Sequence, residues 1–354
     1  MKLGIIGRTA AGKTTLLSLL SGIDHETSLR FQYERKFHYV TIKVPDERIK
    51  VLSDFYQPKK TIEATLDIID TEPILTAEER KSNNIILGTI READGIICVI
   101  PAYQKRDDLD WLSKEIESFE SEFLLADLDI VERRMEKLKN NKGRGTASLE
   151  EIHEEEKFLA IVKEYIETSK NLKDIHLTPL TTKLWINYGL LSRKALIIVL
   201  NISELDLSFK DKFIEIHKKY PCSISLPLKL EYEILSLPPD EQQGFLSDYG
   251  LKSLKITEVS SLCYKALNLQ SFFTVGKDEV RAWTIKKGDS ALVAAGKIHT
   301  DMARGFISAD IISFQDWLES KGSMKNAKEH GKLRSEGKEY IVKDGDIINL
   351  KFNV

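Results

Sequence analysis

The chain has 354 residues, with 52 Lys and Arg against 55 Asp and Glu and a formal net charge of −3. This length allows two or three domains with a sizeable core, and the charge excludes a strong overall basic field for nucleic acid. No apolar run reaches the roughly 20 residues that span a bilayer, and the cysteines and histidines lack zinc-ligand spacing. The first strand-like run begins at residue 2, which leaves no room for a signal peptide. We therefore expect a cytoplasmic monomer with reduced cysteines that binds neither membrane nor DNA.

The N-terminal run GRTAAGKTT fits the phosphate-loop pattern GxxxxGK followed by Ser or Thr. A strand-like run (residues 2–6) precedes it and a helix-like run (residues 14–20) follows it, as this loop requires. Two glycines allow successive backbone N–H groups to face a phosphate, and the helix N-terminus adds partial positive charge. We assign nucleotide binding to the whole run: Gly7, Arg8, Thr9, Ala10, Ala11, Gly12, Lys13, Thr14 and Thr15. Lys13 would reach the β- and γ-phosphates and the Thr14 hydroxyl would bind Mg²⁺, so these two are the predicted catalytic residues.

Several short aliphatic runs follow at spacings that suit an α/β sheet: Val40–Val44, Thr65–Asp70, Gly95–Ile100 and Ala195–Leu200. Because these runs are almost continuously apolar, they predict strands covered on both faces, as in a mostly parallel sheet between helices. Asp70 ends its strand and is the predicted acidic residue that holds Mg²⁺ through water.

Residues 111–184 carry apolar side chains at helical spacing in two stripes, separated by the breaker NNKGRGT at 140–146. The stripes consist of Phe119, Phe123, Leu128, Val131, Met135 and Leu138, and then Leu149, Ile152, Leu159, Val162 and Ile166. Dense Glu and Lys around both stripes favours an antiparallel helical hairpin that protrudes as a coiled coil. Two packed surface helices are the alternative.

The run ALIIVL ends in Asn-Ile-Ser-Glu, where guanine-specific enzymes carry Asn-Lys-x-Asp. The terminal Asp of that motif accepts two hydrogen bonds from guanine. Glu204 is one methylene longer, so its carboxylate would sit too far forward, which favours ATP over GTP. We assign base binding to Asn201, Ile202 and Glu204, and we include Leu228 and Lys229 in the nucleotide site.

The last 80 or so residues mix strand-like and helix-like runs, which indicates a small α+β module. FFTVG and VRAWTI read as strands, SALVAAGKIHTDMARG reads as a helix, and the sequence around Asp344-Gly345 predicts a terminal hairpin. Residues 321–343 hold seven Lys or Arg against three Glu, a mild basic excess that is consistent with a contact to RNA phosphates.

Over nearly its full length the chain resembles the YchF-type P-loop NTPases, relatives of the Obg GTPases. The resemblance rests on GRTAAGKTT, VPDER, PKKTIEATLDIID, IREADGIICVI, ADLDIVERR and VLNISE, and above all on FFTVGKDEVRAWTIKKG, AAGKIHTDMARGFISADIISF and EGKEYIVKDGDIINLKFNV. It implies an α/β P-loop NTPase domain (1–112 and 185–268), a helical coiled-coil insertion (113–184) and a β-grasp-like TGS domain (269–354). It also implies ATP hydrolysis in preference to GTP, Mg²⁺ dependence, a cytoplasmic location and association with ribosomes, with the NxxE motif of the family on Asn201 and Glu204.

The chain departs from the family at the parts that sense the γ-phosphate. The DxxG switch motif falls on residues 70–73, where Pro73 replaces the glycine and lacks the N–H that would bond the γ-phosphate. Ile74 follows and cannot orient a water molecule. Glu34 stands where the family has its switch threonine, and the following segment is shortened to TAEERKSNN without glycine. A carboxylate at Glu34 would face the γ-phosphate with like charge.

These observations leave three hypotheses. The first is an ATP-preferring NTPase that uses Mg²⁺ and hydrolyses slowly, since positioning and charge neutralisation do most of the work in phosphoryl transfer. The second is a catalytically silent nucleotide-binding adaptor that docks on the ribosome through the coiled coil and the TGS domain. The third is a GTPase that tolerates Glu204.

Overall fold

A computed structural model describes residues 1–22, 38–74, 80–140, 148–168, 170, 172–207 and 212–353. Glu34, residues 76–79 of the TAEERKSNN segment and residues 141–146 of the predicted breaker lie outside the described residues. The contacts divide the chain into two compact units. The first contains residues 1–40 and 68–253, and the second contains residues 41–67 and 254–354.

The described strands are β1 (Lys2–Gly7), β2 (His38–Val44), β3 (Lys60–Ile62), β4 (Ala64–Asp70), β5 (Gly95–Ile100), β6 (Ala195–Asn201), β7 (Ser223–Leu226), β8 (Leu269–Val275), β9 (Glu279–Lys286), β10 (Phe306–Ser313), β11 (Arg334–Glu336) and β12 (Asp346–Phe352). The α-helices of the first unit are α1 (Lys13–Ser21), α3 (Arg80–Ile90), α4 (Leu109–Asn140), α5 (Leu149–Glu167), α6 (Pro179–Tyr188), α7 (Ile214–Lys219), α8 (Leu228–Leu235) and α9 (Pro239–Asp248). Those of the second unit are α2 (Glu47–Tyr56), α10 (Ile256–Ala266), α11 (Ala291–Ile298), α12 (Thr300–Arg304), α13 (Phe314–Glu319) and α14 (Met324–Glu329).

The sheet that carries the phosphate loop has the strand order β2-β4-β1-β5-β6-β7. The pairs β1–β5, β5–β6 and β6–β7 are parallel, and every residue of β5 is buried. The predicted α/β fold with a mostly parallel sheet is therefore confirmed. In such a sheet the carboxyl ends of the strands share one edge, where ligands bind.

Helix α4 contributes to two hydrophobic cores. Phe119 and Phe123 pack in the core of the sheet with Ile96 and Ile100, although they continue the apolar stripe that predicts the hairpin. The second part of α4 shares another core with α5, formed around Val131, Leu138, Phe158, Leu159 and Val162.

The two predicted helices of the hairpin are present and run antiparallel. The ion pairs Glu132–Lys163 (2.6 Å) and Arg134–Glu155 (2.8 Å) join them in opposite sequence order. Within the first unit Leu172, Ile175 and Leu190 complete the same core, so the helical pair does not bury its apolar stripes by itself.

A buried carboxylate clamps the middle of α4. Asp127 is fully buried and accepts hydrogen bonds from Arg91 (2.6 Å) and from the Leu191 amide (3.0 Å). Its other oxygen accepts from the amide (2.9 Å) and the hydroxyl (2.6 Å) of Ser192. Together these donors compensate for the cost of burying the charge.

The second unit is built on a mixed sheet with the order β11-β10-β12-β8-β9-β3. The two predicted strands are present as β8 and β9, which pair antiparallel, and β3 adds to the edge of β9 in parallel. The predicted C-terminal helix is present as α11 and α12, which are separated at His299. The three-part domain division remains a prediction, and the compact C-terminal unit also includes residues 41–67.

The predicted terminal hairpin around Asp344-Gly345 is wrong. Strand β12 follows this turn, but it pairs antiparallel with β10 and parallel with β8. The turn instead docks on other elements of the unit. Asp344 accepts a hydrogen bond from the Ser271 amide (3.0 Å) and forms an ion pair with Arg48 (2.9 Å). The Gly345 amide donates to the Ser271 carbonyl over 2.9 Å.

Candidate nucleotide site

The phosphate loop connects the end of β1 to the start of α1, as its pattern predicts. Gly12 has φ 101°, and a Cβ atom there would lie 2.6 Å from Nδ2 of Asn201. A Cβ atom on Gly7 would lie 2.7 Å from the carbonyl oxygen of Val99. Both glycines are therefore required by close approach, and Gly12 also by its left-handed backbone.

Lys13 is the principal cation of the loop. Its side chain is buried, and Nζ donates to the Gly7 carbonyl over 3.3 Å. Burial lowers the pKa of Lys13, and the negative charge of Asp70 acts in the opposite direction. An ammonium group that is removed from water in this way interacts strongly with a phosphate.

Asp70 is in the predicted place for a metal-binding carboxylate. It ends β4, which neighbours β1 in the sheet, and it is only 3% exposed. The described residues contain no group of three or more acidic, His or Cys side chains that could hold a metal by themselves. Mg²⁺ does not require one in this class of site, because it takes phosphate oxygens and waters beside one or two protein ligands. Thr14 and Asp70 fit that donor set.

A cavity of about 410 Å³ adjoins the phosphate loop. The structure brings most of the predicted residues together around it: Ala10, Gly12, Thr15, Asn201, Ile202, Glu204, Leu228 and Lys229. Tyr103 and Ser203 also line the cavity and are absent from the predicted set. We call this the nucleotide cavity.

Tyr103 lies just after β5 and is bonded to the phosphate loop. Its hydroxyl donates to the Ala10 carbonyl over 2.8 Å. The sequence holds a signal for it, because residues that follow a central parallel strand lie at the ligand-binding edge of the sheet. No short motif marks the position.

Asn201 holds two walls of the nucleotide cavity. Its Nδ2 donates to the Ala11 carbonyl (3.0 Å), and its Oδ1 accepts from the Leu228 amide (3.3 Å). These contacts use both ends of the side-chain amide. Asn201 therefore positions the phosphate loop and the start of α8, and its predicted contact with the base stays a prediction.

Six predicted loop residues do not line the nucleotide cavity: Gly7, Arg8, Thr9, Ala11, Lys13 and Thr14. The guanidinium of Arg8 contacts helix α4. Thr9 is exposed, whereas Ala11 is buried.

The segment after Asp70 lies against the phosphate loop. The Ile74 amide donates to the Gly7 carbonyl over 3.1 Å, and the Ile74 side chain is 1% exposed within the hydrophobic core. Pro73 has no N–H of its own. A buried aliphatic side chain cannot orient a water molecule, in line with the reading of Ile74 from the sequence.

Glu204 begins a short 3₁₀ helix and is exposed at the cavity. Behind it, Asp206 is buried and receives hydrogen bonds from Arg106 (3.0 Å) and Lys212 (2.7 Å). Burial opposes ionisation of Asp206, but these two cations hold its pKa below the usual value. The ion pairs fix the loop that carries Glu204.

Two family models match the chain. Residues 2–133 match the model described as 50S ribosome-binding GTPase. Residues 269–353 match the YchF GTPase C-terminal model, which is described as a protein of unknown function (DUF933). None of the helices in the described ranges combines the length and the apolar composition of a membrane span.

Similar proteins cover the full length. The ribosome-binding ATPase YchF of Bacillus subtilis is 33% identical over 380 residues, covering 99% of both chains. The protein of the same name from Escherichia coli O157:H7 is 34% identical over 374 residues, covering all of this chain and 99% of the relative. The solved structure of the Schizosaccharomyces pombe YchF GTPase matches with a TM-score of 0.82 and 28% identity, covering 99% of this chain and 97% of that one. Because this sequence and structural similarity covers both units and includes the phosphate loop, the chain belongs to the YchF family of nucleotide-binding P-loop NTPases.

Proposed function

We propose that this protein binds ATP with Mg²⁺ in preference to GTP and hydrolyses it slowly. The observation that carries the proposal is an intact phosphate loop with the buried Lys13, beside a nucleotide cavity that is lined by Glu204 among others. In this arrangement the loop amides and Lys13 neutralise the phosphates, while Ile202, Leu228 and Lys229 surround the base.

Thr14 and Asp70 would hold Mg²⁺. When bound, the metal neutralises charge on the β- and γ-phosphates. The chain's own residues contribute a buried cation at Lys13 and a fixed loop backbone, so that little reorganisation is needed at the moment of phosphoryl transfer.

The preference for ATP rests on Glu204. An Asp at this position would pair with the guanine edge through both carboxylate oxygens, and the extra methylene of Glu204 displaces its carboxylate. Because the loop is anchored behind Glu204 by Asp206, Arg106 and Lys212, it cannot easily retreat to compensate.

Slow turnover follows from the segment after Asp70. Pro73 offers no amide to the γ-phosphate, and the amide of Ile74 is already bonded to Gly7. A hydrolysing water must therefore be oriented by another group. The same observation favours the second candidate, a silent nucleotide-binding adaptor.

We place the protein on ribosomes in the cytoplasm. The relatives from Bacillus subtilis and Escherichia coli are named ribosome-binding ATPases, and the matching N-terminal family model is a 50S ribosome-binding GTPase. Exposed lysines at 321, 325 and 328 offer contacts for RNA phosphates.

Titration with MgATP and MgGTP tests the binding. We expect tighter binding of MgATP, and a loss of about tenfold or more in Lys13→Ala, because a charged hydrogen-bond donor to phosphate is removed. Lys252→Ala, at an exposed lysine of the same unit, is the matched control and should bind as the wild type does. Equal binding by wild type and Lys13→Ala would overturn the proposal, and tighter MgGTP binding would overturn the base preference.

Phosphate release under single-turnover conditions, with and without ribosomes, separates the two candidates. Release above the Lys13→Ala level identifies an NTPase. Tight MgATP binding with release no faster than that of Lys13→Ala identifies the silent adaptor. Co-sedimentation with ribosomes tests the partner independently of turnover.

A further inference from the structure

Arg8 is held on helix α4 by three contacts. Its Nε donates to Oε1 of Glu115 over 3.0 Å, and its terminal nitrogen donates to the Ser118 hydroxyl over 2.9 Å. Its guanidinium carbon lies 4.6 Å from the ring centroid of Phe119. The three partners are spaced i, i+3 and i+4, so they share one face of the helix.

These contacts are well shielded from water. The side chains of Arg8 and Glu115 are 19% and 16% exposed, and Phe119 is completely buried. An ion pair in this setting is screened less than one on the surface. The planar guanidinium can bond Glu115 and Ser118 while it stacks on Phe119, which a lysine cannot reproduce.

Three other residues of the phosphate loop, Gly7, Ala10 and Ala11, are also held, but by other elements. The Ile74 amide bonds Gly7, Tyr103 bonds Ala10, and Asn201 bonds Ala11. Arg8 supplies the support from α4. The loop shape is thus set from several sides, as preorganised sites require.

Helix α4 continues from this contact into the helical hairpin. Its 32 residues make it about 48 Å long at 1.5 Å per residue. Its N-terminal part contacts Arg8 through Glu115, and Asp127 fixes its middle by hydrogen bonds. Further along, Glu132 and Arg134 form ion pairs with α5. The element that supports Arg8 is therefore also the first helix of the hairpin.

We infer that Arg8 is a positioning residue, which fixes the phosphate loop on α4 and thereby couples nucleotide binding to the helical hairpin. The inference rests on the proposed function, since it concerns the same nucleotide site. Its side chain acts through Glu115, Ser118 and Phe119 and not through a phosphate.

A double-mutant cycle of Arg8 and Glu115, with MgATP binding as the measured quantity, tests the inference. We expect Arg8→Met to weaken MgATP binding about tenfold, because a charged and poorly hydrated anchor is lost. Glu115→Met should weaken it to a similar extent, and the double variant should be no worse than either single variant. Arg133→Met, on an exposed position of the same helix, is the matched control and should bind as the wild type does.

Amide hydrogen exchange measures whether MgATP binding changes the protection of α4, an effect that is not expected if Arg8 only stabilises the fold. In the wild type, MgATP should slow exchange around residues 112–120 of α4 as well as in the phosphate loop. In Arg8→Met at saturating MgATP, protection should persist in the loop and be lost in α4. Arg8→Lys keeps the charge but cannot bond Glu115 and Ser118 while it stacks on Phe119. It should be intermediate, and it is the variant to compare if Arg8→Met folds poorly.

The outcomes are distinct. If Arg8→Met binds MgATP as tightly as the wild type, if the two single effects multiply in the double variant, or if MgATP leaves α4 exchange unchanged in the wild type, the inference is overturned while the proposed function stands. If wild type and Lys13→Ala are alike in MgATP binding, the proposed function fails and this inference fails with it.

Discussion

At the scale of single residues, the nucleotide site depends on close approaches. Gly12 has no room for a side chain because its Cβ would lie 2.6 Å from Nδ2 of Asn201. Asn201 is in turn held between Ala11 and Leu228. The glycines of the motif are predictable, since the pattern requires them at fixed spacing. The residues that approach these glycines are not predictable in this way, because Asn201 comes from a strand 190 residues away in sequence from Ala11.

Asp346 illustrates how burial of one carboxylate affects stability. It is 1% exposed, and its Oδ2 accepts from the Tyr340 hydroxyl (3.0 Å) and the Lys343 amide (2.8 Å). Among the described residues, its Oδ1 has no hydrogen-bond partner. Burial raises the pKa of Asp346 above its usual value, against the hydrogen bonds from Lys343 and Tyr340 and the charge of Arg334.

A pH dependence of stability follows. Between the ordinary pKa of an aspartate and the raised pKa of Asp346, the folded protein binds more protons than the unfolded chain, so the free energy of unfolding falls as pH rises through the raised pKa. Asp346→Asn should lack this loss and gain stability relative to the wild type as pH rises through that range. Urea unfolding across mildly acidic to neutral pH measures the difference, and a difference that stays constant with pH contradicts the prediction.

At the scale of elements, helix α4 packs in two different hydrophobic cores, and its apolar periodicity does not show where one ends and the other begins. The apolar stripe continues through Phe119, Phe123 and Val131, and it correctly predicts one long helix. Helical spacing records only that a face is buried, not which neighbour covers it. The division of that face between the sheet core and the hairpin core was decided by packing.

The clamp at Asp127 should be a major contribution to this packing. Asp127→Asn leaves Arg91, whose side chain is 13% exposed, without a charged partner. We expect it to lower the free energy of unfolding by about 3–5 kcal/mol, as for other broken buried ion pairs. The control is Asp129→Asn, two residues after Asp127, which breaks an exposed ion pair with Arg133. It should lower the free energy of unfolding by only about 0.3–0.5 kcal/mol. Equal effects in denaturant unfolding would show that the clamp does not stabilise the helix as described.

At the scale of the whole molecule, the C-terminal unit is assembled from two distant parts of the chain. Strand β3 pairs with β9, and Arg48 bonds Asp344 while it lies 5.1 Å from the ring centroid of Phe273. Tyr56 accepts a hydrogen bond from the indole nitrogen of Trp317 over 3.1 Å. Residues 41–67 therefore belong to the fold of this unit.

We predict that residues 254–354 alone do not reach the native fold. Without residues 41–67, the buried Phe273 and Trp317 would lose cover from α2, and β9 would lose its edge partner. Joining residues 41–67 to residues 254–354 by a flexible linker should restore a cooperative thermal transition followed by tryptophan fluorescence. A fragment of residues 254–354 that melts cooperatively at the same temperature as the joined form would contradict the prediction.

The sequence by itself determined the phosphate loop, the aliphatic strands of the parallel sheet, the two long helices and the family. These features depend on spacing over a few residues, where backbone geometry and hydrophobic periodicity act directly. The tertiary structure decided the rest: Tyr103 at the nucleotide cavity, Arg8 on α4, the pairing of β12 with β10 and β8, and the contact of Arg48 with Asp344 across 296 residues. The physical reason is that polar side chains and strand edges bond whichever partner the packing of the core brings within reach, and no local pattern in the chain records that partner.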